Sequence, residues 1–230
     1  MLPATIIMSH ATQASESTDS VTPPPNTELL LAARNLFCER DDRVLFKNLD
    51  FAVRPGQVLQ VRGSNGSGKT TLLRIVCGLN DSYEGELSWC DEPVADVADD
   101  FYANLLFLGH RVGVSKALTP LENLRWTCTL NSAVDDAELL AALATVGLRG
   151  FEESQCFTLS AGQQQRVALA RLLLSPARLW VLDEPFTTLD VRGVTQLEAM
   201  LHDHAAQGGS VLVTTHHPLN VPDLEVLDLG

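Results

Sequence analysis

Gly63, Ser64, Asn65, Gly66, Ser67, Gly68, Lys69 and Thr70 follow one another in the spacing G-x-x-x-x-G-K-[ST], the pattern of a loop that cradles phosphate. The glycines remove side chains, so backbone N–H groups can turn toward phosphate oxygens, and the start of a helix adds partial positive charge. Lys69 is placed to reach the β- and γ-phosphates, Thr70 offers a hydroxyl to Mg²⁺, and Thr71 completes the phosphate-facing set. The flanks suit this reading. Gln57 to Arg62 reads as a strand feeding the turn, and Lys69 to Cys77 as a helix, with Gly78 as its stop. A Gly-rich turn ahead of a helix is the plain alternative, and the loop alone says only that a nucleotide binds.

Working outward, Leu179, Trp180, Val181, Leu182, Asp183, Glu184 and Pro185 form an apolar run that ends in two carboxylates. In a parallel sheet, that end of a strand faces the ligand crevice. Asp183 is suited to hold Mg²⁺ through water, and Glu184 to polarise an attacking water as general base. Leu29 to Leu36, Arg43 to Val53, Gly85 to Cys90, Asn104 to Leu108 and Ser210 to Thr214 also read as strands. Pro120 to Pro176 differs in kind, with helical spacing in Leu121 to Leu130, Asp135 to Val146 and Ala161 to Leu174. A further helix spans Val191 to Gln207. Strands alternating with helices predict an α/β fold with a mainly parallel sheet and a helical insert.

The composition narrows the function. The 230 residues carry a net charge of -13 and no Lys/Arg run, so a nucleic-acid backbone is repelled. Five scattered cysteines lack the paired spacing of a zinc site or disulfide framework and read as reduced thiols. A membrane span needs about 20 largely apolar residues, and runs such as Leu139 to Leu148 are shorter. Any membrane link is expected to come through a partner. No Lys or Arg precedes Arg34, so the basic leader of a signal peptide is missing and the chain is expected in the cytosol. Residues 1–28, rich in Ser and Thr and ending near Pro23, Pro24 and Pro25, read as a flexible tail, with one domain over 29–230.

Leu159, Ser160, Ala161, Gly162, Gln163, Gln164, Gln165 and Arg166 bring a more specific signal. Ser160 and Gln163 have the spacing of a capping box, so a helix should start here. The segment resembles the signature motif of ABC ATPases, usually L-S-G-G-Q, with Ala161 in place of the first glycine. The first helical turn needs no positive φ, so alanine is tolerable there. The resemblance implies an ABC ATPase fold over 29–230. Its parts are a P-loop NTPase (RecA-like) core with a mainly parallel sheet, an N-terminal antiparallel β region and an α-helical subdomain inserted at about 111–178. It also implies ATP hydrolysis with Mg²⁺, and a homodimer with two ATP at the interface. There Ser160, Gly162 and Gln163 of one copy cover the γ-phosphate held by the other. Asp190, after Leu189, resembles the loop that crosses this interface. His216 resembles the switch histidine that contacts the γ-phosphate, whereas its neighbour His217 reads as an incidental polar residue. His202 and His204, two apart on a helix, share no face for a metal.

The pattern also departs from the family. His110 occupies the place of a glutamine, counted back from Leu118, Thr119, Pro120, Leu121, Glu122 and Asn123. Mg²⁺ favours oxygen ligands, which argues against direct metal contact and leaves His110 to bind water or phosphate, or to couple to a membrane subunit. The adenine-stacking tyrosine of many members is not visible; Phe37 and Arg40 are the alternatives. Cys38 to Asp41, Gly63 to Thr71, Gly109 with His110, Leu159 to Arg171, Leu179 to Thr187 and Thr214 to Leu219 together resemble ATP-binding subunits of the cytochrome c maturation system. This implies haem export, integral membrane partner subunits, and a peripheral position on the cytoplasmic face of the bacterial inner membrane. Another ABC exporter, or a soluble ABC-type clamp, stays open as the alternative.

Overall fold

A computed structural model describes residues 29–128 and 134–229. The expected tail over 1–28 lies outside the described residues. The chain opens with β1 (Leu31–Arg40) and β2 (Arg43–Val53), an antiparallel hairpin. Asp41 and Asp42 form its two-residue turn with φ of 53° and 57°, the left-handed geometry that a tight hairpin needs and that Asp tolerates. β3 (Val58–Arg62) runs into the glycine loop and α1 (Lys69–Val76) leaves it. β4 (Glu84–Trp89) and the two-residue β5 (Glu92–Pro93) complete an antiparallel sheet in the order β2-β1-β4-β5.

α2 (Ala98–Ala103) and β6 (Leu105–Leu108) precede the helices α3 (Pro120–Cys128), α4 (Asp136–Thr145) and α5 (Ala161–Leu174). β7 (Leu179–Asp183), α6 (Val191–Ala206), β8 (Ser210–Thr214) and β9 (Glu225–Asp228) close the chain. The second sheet is parallel throughout, in the order β6-β7-β8-β3-β9. Non-adjacent strands thus become neighbours through helical crossovers.

Strand periodicity divides the core. In β7, Leu179 and Val181 join α1 and the antiparallel sheet on one face, while Trp180 and Leu182 join α3 to α6 on the other. β8 repeats the division, with Leu212 on the first side and Val211 and Val213 on the second. Both faces are covered, which is why these strands are apolar at every position rather than at alternate ones.

The three helices between β6 and β7 begin with reciprocal caps readable in the sequence. Glu122 N–H donates to Thr119 Oγ1 at 3.2 Å and Thr119 N–H to Glu122 Oε2 at 2.8 Å; Asp135 with Glu138 and Ser160 with Gln163 do the same. Asn123, buried on α3, donates to the Ser115 and Thr119 carbonyls and accepts the Ser115 N–H. It thereby fixes the connection that follows His110.

The expected strands and helices are present with their ends shifted by a few residues. β1 runs on to Arg40 rather than stopping at Leu36. α2, β5 and β9 carry no clear signal in the sequence: α2 is under two turns long, and β9 is a strand only because β3 pairs with it.

His204 on α6 stacks on Trp180, ring centroids 3.7 Å apart and planes 7° apart. Burial pushes its imidazole below the ordinary value. The unfolded chain therefore binds this proton more readily. The stabilisation is full above the ordinary histidine value of about 6.5 and is lost as pH falls from there through the folded value. The thermal midpoint should drop between about pH 7.5 and about pH 5.5, and His204→Phe, which keeps the stack, should flatten that slope. Equal slopes in the two proteins would exclude His204 as the cause.

Candidate active site

The C-terminal ends of four adjacent parallel strands carry the expected residues to one edge of the sheet. His110 follows β6, Asp183 and Glu184 end β7, His216 follows β8, and the glycine loop follows β3. They meet in a cleft of about 560 Å³ lined by Asn65, Gly66, Gly68, Lys69, Thr70, Thr71, His110, Asp183, Glu184 and His216.

α1 differs from the capped helices. Its N-cap is Gly68, with φ of 101° and no side-chain cap, so its first N–H groups are left for a ligand. Only glycine suits this position: its φ is left-handed, and a Cβ would lie 3.1 Å from Leu45. Lys69 Nζ donates to the carbonyls of Gly63 at 2.8 Å and Ser64 at 3.0 Å, which bends the loop around its own ammonium. Ser67 Oγ is buried in the loop without a hydrogen-bond partner. An open helix end, an ammonium and an orphaned hydroxyl together fit a polyphosphate.

Asp183 is only 3 % exposed. Thr70 Oγ1 lies 3.0 Å from its Oδ2, and Thr214 Oγ1 donates to its Oδ1 at 2.8 Å. This set of hard oxygen donors matches Mg²⁺ rather than a softer metal. Glu184 follows with φ of 53°, a strained conformation for a residue with a side chain. Its N–H holds it there by donating to Thr214 O and Thr214 Oγ1, each at 3.0 Å. His216 Nε2 stands 3.6 Å from Glu184 Oε1.

Ser160, Gly162, Gln163 and Asp190 are not in this cleft. With Gly147, Arg166 and Thr188 they line a separate concavity of about 770 Å³. Ser160 Oγ accepts from Gln163 N–H at 3.2 Å, and Ser160 N–H donates to Gln163 Oε1 at 2.9 Å, the expected capping box. Ala161 has no positive φ. Gly162 is constrained by space instead: a Cβ would meet the Thr188 carbonyl oxygen at 2.8 Å. Asp190 caps α6 through Gly193 N–H at 2.9 Å and takes Arg166 Nη2 at 2.5 Å. These contacts hold its carboxyl below the ordinary range, the Gly193 hydrogen bond most of all, then the Arg166 charge.

Several lining residues are not apparent in the motifs. The β1–β2 turn carries Arg40, Asp41, Arg43 and Leu45 over the cleft, and Arg40 lines it whereas Phe37 does not. The double role of Thr214 has no sequence signal, because a threonine ending a buried strand looks like ordinary β-propensity.

The ABC transporter family profile matches residues 46–187. The "Cytochrome c biogenesis ATP-binding export protein CcmA" of Hahella chejuensis is 54 % identical over 192 residues, covering 84 % of this chain and 91 % of that protein. The chain belongs to the CcmA family of ABC transporter ATP-binding proteins. Its relatives of the same name in Saccharophagus degradans and Escherichia coli K12 are 51 % and 49 % identical, over 86 % of this chain in each case and 92 % and 94 % of theirs. Among solved structures, a dimeric ATP-binding cassette in a post-hydrolysis state bound to ADP and Pi aligns with TM-score 0.72 and 25 % identity, over 81 % of this chain and 88 % of that one. An ATP-binding cassette from Pyrococcus furiosus, 24 % identical, shares the fold with TM-score 0.75 over 86 % of this chain and 96 % of its own. As a member of this family, the chain is an ABC-type ATPase that binds nucleotide. No helix among the described residues is long and apolar enough to cross a membrane.

Thr214 tests the site's construction. Thr214→Val removes the hydroxyl that serves both Asp183 and Glu184, and leaves a buried carboxylate one donor short. It should cost about 2 kcal/mol of stability, read from urea unfolding, and weaken ATP binding. A loss confined to binding, with unchanged unfolding, would contradict the structural role given to it.

Proposed function

We propose that the chain is the ATP-hydrolysing, energy-coupling subunit of an export complex for c-type cytochrome biogenesis, with haem as the implied cargo. It acts as a homodimer at the cytoplasmic face of the bacterial inner membrane, peripheral to integral membrane subunits. The observation that carries this reading is the division of its functional residues between two concavities. The cleft that holds Lys69, Asp183 and Glu184 has none of the Ser160 set, and the concavity at Ser160 has no phosphate loop. Each half-site is incomplete, and a second copy supplies what the first lacks.

The glycine loop and Lys69 grip the β- and γ-phosphates of ATP, with the α1 N–H groups taking the oxygens. Thr70 and Asp183 would hold Mg²⁺, Asp183 through water; bound there, the ion neutralises charge as the terminal phosphoryl leaves. Glu184, at the mouth of the cleft, orients the attacking water and takes its proton. His216 contacts the terminal phosphate and steadies that water. His110, beside them, binds water or phosphate and reports the site's state toward the helices that follow it. Ser160, Gly162 and Gln163 of the second copy close over the terminal phosphate, and Asp190 lies at that junction. Asp190 is itself set by Arg166, so the signature helix and the α6 terminus move as a unit.

Closure uses ATP as the adhesive, and hydrolysis removes it. Glu184→Gln retains every binding group and loses only the base. It should lower turnover by about a hundredfold or more while ATP-loaded dimers persist, as read by phosphate release and by light scattering with chromatography. Undiminished turnover would refute Glu184 as base, and monomers at saturating ATP would refute the shared pocket.

A further inference from the structure

Adjacent to His216, the side chain of His217 engages the fold rather than the cleft. Its ring stacks on Phe186, with centroids 5.1 Å apart and planes 28° apart. Its Nε2 lies 3.4 Å from Glu198 Oε1 on α6, and its backbone N–H donates to Thr215 Oγ1 at 2.9 Å. The same Glu198 oxygen accepts the backbone N–H of Asn220 at 3.0 Å. One carboxylate therefore holds both ends of the turn at 217–220. Phe186 is buried and stands two residues beyond Glu184. Through this ring the turn after β8 is fastened to the loop after β7.

His216 needs such support. Its side chain is 64 % exposed, and among the described residues its polar contact is Glu184, 3.6 Å away. That distance is beyond a hydrogen bond, and a pair open to water on one side does little to restrain an imidazole. The place of His216 is then set by its backbone, and its backbone by the residue that follows. Glu198 is well suited as the anchor, because its side chain is 18 % exposed and it sits mid-helix.

We propose that Glu198, His217 and Phe186 form a positioning latch that fixes the approach of His216 to Glu184 and to the terminal phosphate. None of the three touches the reacting atoms. The latch ties α6, whose N-terminus is capped by Asp190, to the turn that carries His216, so the state of the second half-site reaches the hydrolytic residues through one helix. The inference rests on the roles given to Glu184 and His216 above.

The test is steady-state ATP hydrolysis by the full-length chain and its Glu198→Ala, Glu198→Gln and His217→Leu variants. Glu198→Ala should lower kcat about tenfold or more, with KM for ATP within about twofold and a thermal midpoint within about 2 °C. Glu198→Gln keeps an acceptor for both donors and should recover most of the loss. His217→Leu, which keeps an apolar body on Phe186, should share the kcat defect, and the double variant should be no worse than either single one. A kcat within about twofold of the parent in Glu198→Ala overturns the latch. So does a joint fall of kcat, ATP affinity and thermal midpoint in both single-site variants, or a Gln variant as impaired as Ala. Glu184→Gln assayed alongside separates the two readings: full turnover there overturns the base assignment, whereas an inactive Glu184→Gln beside an unaffected Glu198→Ala overturns the latch alone.

Discussion

A carboxylate almost wholly enclosed at the end of β7 is the constraint around which the molecule is organised. An ionised Asp183 out of water is tolerable only if hydrogen-bond donors or a cation meet it. The donors come from Thr70 at the start of α1 and Thr214 at the end of β8. Meeting that requirement aligns the glycine loop, the β7 terminus and the β8 terminus to within hydrogen-bond distance of one another. The same Thr214 hydroxyl accepts the Glu184 N–H, so the strained backbone of the residue read as the base is a by-product of the same contact.

The second organising feature is the contrast between open and closed helix ends. α3, α4 and α5 satisfy their first N–H groups with reciprocal side-chain caps, whereas α1 begins at a left-handed glycine with no cap. A helix that leaves its first amides unpaired is less stable by itself, and packing of Leu72, Leu73, Ile75 and Val76 against both sheets offsets that cost. The closed end of α5 is functional in another way. Its capping box fixes where Ser160 and Gln163 stand, and the tight approach of Gly162 to the Thr188 carbonyl joins that end to the loop before α6. Arg166 repeats the join with a charge.

Much of this was legible in the chain because the chemistry is local. A phosphate loop needs glycines at fixed spacing, a capped helix needs Ser160 and Gln163 three apart, and a strand covered on both faces needs an unbroken apolar run such as Leu179 to Leu182. What escaped the sequence is of two kinds. β9 and α2 are too short to carry periodicity and exist through what they pair with or pack on. Thr214, Glu198, His217 and Arg166 act on residues far away in the chain, and side chains of these types are ordinary wherever they occur.

The sequence by itself determined the alternation of strands and helices, the residues that grip phosphate, the pair of acids at a strand end and the start of the signature helix, because each depends on neighbours within a few residues. The tertiary structure decided which residues share a cavity. Only the strand order β6-β7-β8-β3 brings His110, Glu184, His216 and Lys69 to one edge, and only the crossing of α5 and α6 sets Ser160 beside Asp190 and away from that cleft. Strand order and helix crossing follow from how two hydrophobic faces are buried at once, a property of the whole chain that no short stretch encodes.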